Sequence, residues 1–256
     1  MSGQRYDRAF LLAEGKRNQV MELWEVQRYG TDSYGDPDYV SIYGMKPAEW
    51  HRRGVRLLAR TTVEAVRDRL GDLIGADVAS VARGAAMPVA VIDPFAGSCN
   101  GLYWILRHLP QAAGLGFELD PTIFANASRN LPLLDRRIEL IEGDYRTLLA
   151  QHRPPADCLV VAFLAPPWGD ALSAAHGLDL RRTRPPVTEI VDAFERVYGG
   201  QPMLYVVQVH QTIEPASLAE LRQRFDRSDL KIYDINVEGM KHGILLGTRR
   251  WKSGSG

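Results

Sequence analysis

The residues best suited to chemistry lie where apolar runs stop. The run PVAVIDPF breaks into Ala96-Gly97-Ser98-Cys99-Asn100-Gly101 after Asp93 and Phe95. Small side chains at such a place let backbone approach a bound molecule closely. The next run, GLGFELD, ends in Glu118 and Asp120. A carboxylate about one strand–helix unit downstream can accept both hydroxyls of a ribose, which suits Glu118. Asp120 precedes Pro121, the arrangement of a helix N-cap. IELIEGD ends in Gly143-Asp144 beside Tyr145, either a turn-forming Gly-Asp or a strand-end site. The most apolar run leads into Ala165-Pro166-Pro167-Trp168-Gly169-Asp170. Its two prolines remove two N–H donors and leave carbonyls free to face a ligand. Trp168 offers an aromatic wall and Asp170 a general base. His210 closes the run MLYVVQVH, either as a substrate contact or base or as a structural histidine. A nicotinamide site is disfavoured, because G-x-G-x-x-G is absent.

Those positions need a scaffold that gathers strand ends. From Pro88 onward strands and helices alternate, with strands predicted over 88–95, 114–120, 138–144, 157–168 and 203–211. Helices are predicted between them over 99–109, 121–131 and 187–198, with a short one after the third strand. A long loop spans 169–186. A helix over 217–225 precedes two strands within 230–250, joined by a tight turn near Gly239–Lys241. This pattern predicts an open, mainly parallel α/β sheet with an antiparallel edge, whose ligands sit outside the carboxyl ends of the strands. Upstream, Trp24 to Trp50 holds three glycines and two prolines, which argues against a regular helix. One helix is predicted from about Pro47 through Leu70 and another over Leu73–Val81. The chain thus divides into a helical, aromatic lid over 1–87, which also binds substrate, and a cofactor-binding domain over 88–252.

The chain has 256 residues, with 31 Lys+Arg balancing 31 Asp+Glu. A neutral chain of this kind is not a general polyanion binder. Two cysteines, Cys99 and Cys158, exclude a disulfide framework or a cysteine zinc site. No apolar run is long enough to span a membrane, and the first residues lack a leader's apolar core. The expectation is a soluble protein of the reducing cytoplasm, with no membrane partner; a homo-oligomer stays open.

DPFAGS resembles the first motif of the class I S-adenosylmethionine (SAM) methyltransferases, and the order of elements resembles their Rossmann-like seven-stranded sheet. That resemblance implies SAM as cofactor, held by Asp93, Phe95, Ala96, Gly97, Ser98, Asn100, Glu118, Asp144, Tyr145 and Ala165. It also implies that Pro166, Pro167 and Trp168 correspond to the (N/D/S)-P-P-(Y/F/W) motif that binds an amine in amino-methyltransferases. Ala165 departs from that motif and removes one side-chain acceptor. PPWG after the W-x-x-Q-R-Y segment (Trp24, Gln27, Arg28, Tyr29) is similar to the RNA cap guanine-N2 methyltransferase (trimethylguanosine synthase) family.

The acceptor is less legible. Tyr29, Tyr34, Tyr39, Tyr43, Trp50 and Trp168 are candidates for a cage around a developing cation. His51, Arg52, Arg53, Arg56, Arg181, Arg182 and Arg184 are candidates for holding an anionic group. Together with Asp170 as base they favour carbon methylation of a prenyl diphosphate in specialised isoprenoid metabolism. The alternatives are N-methylation of guanine in RNA or of a small amine, and a SAM-binding subunit without catalysis. RNA is the less favoured partner for a neutral chain. No spacing marks a protein-bound metal, and Mg2+ enters only with a diphosphate acceptor.

Overall fold

A computed structural model describes residues 4–235 and 242–251. The tight turn expected near Gly239–Lys241 lies outside the described residues. The sheet is built from β1 (Val89–Asp93), β2 (Ala113–Glu118), β3 (Glu139–Glu142), β4 (Leu159–Leu164), β7 (Met203–His210), β8 (Arg227–Tyr233) and β9 (His242–Arg249). Its order is β3-β2-β1-β4-β7-β9-β8. Strands β3, β2, β1, β4 and β7 run parallel, whereas β9 is antiparallel to both its neighbours. Strand order reverses between β1 and β4, which opens a crevice at their carboxyl ends.

Helices α6 (Asn100–His108), α7 (Pro121–Asn130), α8 (Tyr145–Gln151), α9 (Val187–Tyr198) and α10 (Pro215–Arg222) link the strands. Alternate residues along each central strand feed opposite faces, as the two-residue period of a strand requires. Val161, Phe163, Leu204, Val206 and Ile244 join one cluster, and Val160, Ala162, Leu164, Tyr205 and Val207 join the other. The second cluster is closed by α8 and α9 through Leu149, Ile190, Phe194 and Tyr198. The first is closed by α6 and by the residues before β1, whose Leu11, Met21, Val26, Leu57 and Ile74 are fully buried in it. The loop after β4 carries a small hairpin, β5 (Leu172–Ser173) and β6 (Gly177–Leu178), where an unbroken loop was predicted.

The amino-terminal part departs most from the expectations above. Its elements are α1 (Arg8–Leu12), α2 (Leu23–Tyr34), α3 (Pro47–Arg52), α4 (Ala59–Glu64) and α5 (Asp68–Ala82). Helix α2 occupies a stretch where Gly and Pro argued against one. Those residues terminate it instead: Gly35 takes the left-handed cap (φ 69°) and Pro37 follows. Gly30 lies inside because a Cβ there would sit 2.3 Å from the Asp36 carbonyl oxygen. The single helix expected over 47–70 is three separate ones. Gly54 (φ 92°) ends the first, and Leu57 then accepts the Met21 N–H at 2.8 Å, which keeps the chain extended. The helix predicted over 73–81 starts earlier, at Asp68.

Helix α5 lies against α6 across two glycines. A Cβ on Gly71 would stand 2.5 Å from Trp104 Cδ1, and one on Gly75 would stand 2.6 Å from the Trp104 carbonyl oxygen. The indole Nε1 donates to Asp68 Oδ1 at 2.7 Å, which holds the ring in the seam. A backbone oxygen cannot withdraw as a side chain would. Gly75→Val is therefore expected to lower stability by about 1–3 kcal/mol in denaturant unfolding, the range for overpacking. Gly15→Ala, with nothing within 4 Å of the added carbon, should stay within about 0.5 kcal/mol of the parent.

Candidate functional site

The crevice is floored by the loop that follows β1. Gly97 (φ 52°) and Cys99 (φ 63°) both take left-handed backbone, so the loop curls back over the strand end. It can lie that close because β2 carries Gly116, whose added Cβ would be 2.8 Å from the Ala96 methyl. Ala96 N–H donates to the Phe117 carbonyl at 2.9 Å. Glu118 Oε2 accepts the Gly97 N–H at 2.9 Å, and its Oε1 accepts the Asp120 N–H at 2.8 Å. Asp93 Oδ1 accepts the Phe95 N–H at 3.0 Å.

Asp93 and Glu118 are both buried, and neither forms an ion pair among the described residues. Burial pushes the Asp93 carboxyl up to about 7; its backbone bond opposes this and the Glu118 charge adds to it. Burial likewise raises Glu118, against the bonds from Asp120 and Gly97. Two desolvated carboxylates facing a glycine turn form a site suited to a cation with hydroxyl donors. Beside them the Phe95 and Tyr145 rings meet with centroids 5.3 Å apart. At the end of β4, Pro166 is buried, Ala165 and Trp168 are half-buried and Asp170 is exposed on a single 3-10 turn.

Several predicted contacts are used otherwise. Asn100 is buried and serves the amino-terminal layer: its Oδ1 accepts the Tyr43 N–H at 2.8 Å, and its Nδ2 donates to the Val66 carbonyl at 2.6 Å. Tyr43 donates its hydroxyl to the Ser98 carbonyl. Asp144 caps α8 through the Arg146 N–H and also binds the Arg146 guanidinium, so its carboxylate is engaged locally. Asp120 caps α7 as expected and pairs with Arg60.

The aromatic cage does not assemble. Tyr29, Tyr43 and Trp50 are core side chains, and Trp50 Nε1 donates to the Val40 carbonyl at 3.0 Å. These large rings fill the layer over the sheet, where their apolar area is removed from water. Tyr34 and Tyr39 are half-buried and stack on each other at 3.6 Å, with the Arg67 guanidinium over Tyr39. The arginines do not converge either. Arg53 pairs with Glu49, Arg56 donates to the His51 and Val55 carbonyls, and Arg181 pairs with Asp179 and Glu214. Arg182 is exposed. No cluster of three metal-ligating side chains occurs among the described residues.

One group escaped the sequence. Trp168 stacks on His242 with centroids 5.6 Å apart, and His210 meets both rings edge-on at 6.2 and 6.4 Å. His210 and His242 are register partners across β7 and β9. Only that pairing, unknown before the strands are aligned, marks His242. His210 itself accepts the Thr212 N–H on Nδ1 at 3.1 Å.

The sheet order, the antiparallel β9 and the loop after β1 together are the fold of the class I methyltransferases. No protein-family model and no curated protein matches the sequence. Among solved structures the chain is similar to the delta-N METTL16 MTase domain, at 15% identity with a TM-score of 0.52, covering 71% of this chain and 83% of that one. It is similar to the human methyltransferase 10 domain containing protein at 15% identity and TM-score 0.50, with the same coverage. It is also similar to cofactor-bound Rv0187 from MTB, at 12% identity and TM-score 0.50, over 82% of this chain and 92% of that one. These likenesses concern the fold. No helix among the described residues is long and apolar enough to cross a membrane.

Glu118→Ala would strand two half-buried N–H groups, those of Gly97 and Asp120. A loss of about 1–3 kcal/mol is expected in denaturant unfolding without any added ligand. Glu118→Gln keeps one oxygen acceptor and should lose less.

Proposed function

We propose that this chain is a SAM-dependent methyltransferase acting on a small organic acceptor. The observation that carries it is the pair of buried carboxylates, Asp93 and Glu118, which form no ion pair among the described residues and flank the left-handed Gly97 turn. SAM supplies an already activated sulfonium methyl, and its cationic end suits Asp93. Each Glu118 oxygen accepts one N–H and retains a lone pair for a ribose hydroxyl. The Phe95–Tyr145 pair offers apolar faces for the adenine. Pro166 and Pro167 fix the backbone at the end of β4, where an acceptor would have to be held in line with the methyl for positioning to supply the rate.

A small acceptor is supported by the balanced charge and by arginines already engaged with carboxylates and carbonyls. Of the arginines that could hold a prenyl diphosphate, Arg53, Arg56 and Arg181 are engaged and Arg182 is exposed, and Mg2+ enters only with such an acceptor. The cap-type reading rests on PPWG and W-x-x-Q-R-Y, in which Tyr29 is a core residue and Trp24 faces solvent.

Isothermal titration with SAM and its demethylated product tests the cofactor, and a labelled-methyl screen against phenols, aromatic amines and guanosine-containing RNA tests the acceptor. Binding of neither SAM nor its product at millimolar concentration would refute the reading. Asp93 gives the binding a definite pH dependence. A cation prefers the carboxylate form, and the free site protonates below about 7. Affinity for SAM should therefore fall as pH drops below that value, by up to about tenfold per unit for one linked proton. Asp93→Asn should bind more weakly and lose that slope.

A further inference from the structure

We infer that His242 is the proton acceptor of the methyl-transfer site, and that the methyl acceptor is a molecule whose oxygen or nitrogen carries a hydrogen. The inference rests on the methyltransferase reading above. His242 opens β9 at the sheet edge where β4 and β7 end, on the same face as Ile244 and Leu246 and beneath the amino-terminal layer. Its backbone is fixed by pairing on both sides, with His210 on β7 and Tyr233 on β8. Trp168, delivered by the Pro-Pro turn, stacks on the imidazole at an interplanar angle of 23° and so restrains its plane.

The Nδ1 of that restrained ring is screened from water and has no hydrogen-bond partner among the described residues. A buried acceptor without a donor is costly, and a catalytic role is one of the explanations for such a group. The neighbouring His210 does not share the feature, since its Nδ1 accepts the Thr212 N–H. Among the described residues, the titratable groups paired with His242 across the sheet are His210 on β7 and Tyr233 on β8. Tyr233 directs its hydroxyl to Asp77 Oδ2 at 2.8 Å, away from the imidazole. Burial and the His210 charge both favour the neutral imidazole, so the lone pair is available at neutral pH.

The balance is simple. The acceptor's lone pair forms the new bond to the methyl carbon, and the S–CH3 electron pair goes to sulfur. The hydrogen on the attacking oxygen or nitrogen passes to Nδ1, which leaves the methylated acceptor neutral. Acceptors without such a hydrogen, for example a pyridine nitrogen, need no base.

Imidazole NMR of the full chain gives a test without turnover. His242 is expected as the Nε2–H tautomer, titrating below pH 6.5. Protonation of Nδ1 in the neutral form, or titration above 6.5, would overturn the proposal. Kinetics give the second readout, with His242→Gln and His242→Asn compared against the parent on phenols, aromatic amines and substituted pyridines. With a phenol or amine, kcat should fall about 10²- to 10⁴-fold, the usual contribution of a general base, with KM and SAM affinity within about twofold. With a pyridine the variants should match the parent. Equal losses on all acceptors, or none on any, would refute His242 as base while leaving the methyltransferase reading intact. Failure of SAM to bind the parent protein would instead refute the underlying reading.

Discussion

Everything at the candidate site depends on the backbone of residues 96–100 staying in a shape that no isolated peptide would hold. Gly97 and Cys99 are both left-handed, and Cys99 is not a glycine. Such a residue costs on the order of 1–3 kcal/mol unless its surroundings over-determine it. Here they grip it from two directions. Glu118 binds the Gly97 N–H from the sheet side, and Tyr43 binds the Ser98 carbonyl from the amino-terminal layer. Asn100 then ties the first turn of α6 to Tyr43, Val66 and Asp68.

This grip explains why the amino-terminal residues cannot be treated as a decorative cover. Their aromatic rings fill the same apolar cluster as β1, β4 and β7, and their polar atoms close hydrogen bonds of the loop after β1. Asp68 illustrates the cost. Its carboxyl is raised by burial, against the indole of Trp104 and the amide of Asn100, which donate to it. A buried polar junction of this kind is stable only when each member is satisfied, which places strong demands on the register of α5 against α6.

The two halves of the crevice have different chemical characters. On the β1–β2 side are desolvated carboxylates and backbone donors, suited to a cation and to hydroxyls. On the β4–β7–β9 side are Trp168, His210 and His242, rings with no carboxylate in hydrogen-bond contact among the interactions described.

The sequence by itself determined the sheet. Strand–helix alternation after Pro88, caps such as Asp120 and the carboxylates at strand ends depend on local order and two-residue or 3.6-residue periods, which are legible one segment at a time. It also marked the small residues 96–101 that follow β1, where the left-handed Gly97 turn lies. The amino-terminal layer was misread for a physical reason: glycines and prolines mark where the chain turns, but tertiary contacts decide whether they end a helix or prevent one. Gly35 ended α2, and Gly30 was placed by the carbonyl of Asp36. Burial decided the rest. Tyr29, Tyr43 and Trp50 carry the same side chains whether they line a cage or fill a core, and Asp144 has the same carboxylate whether it meets a ligand or Arg146. His242 gains its meaning only from lying opposite His210 and under Trp168, a neighbourhood made by strands distant in the chain.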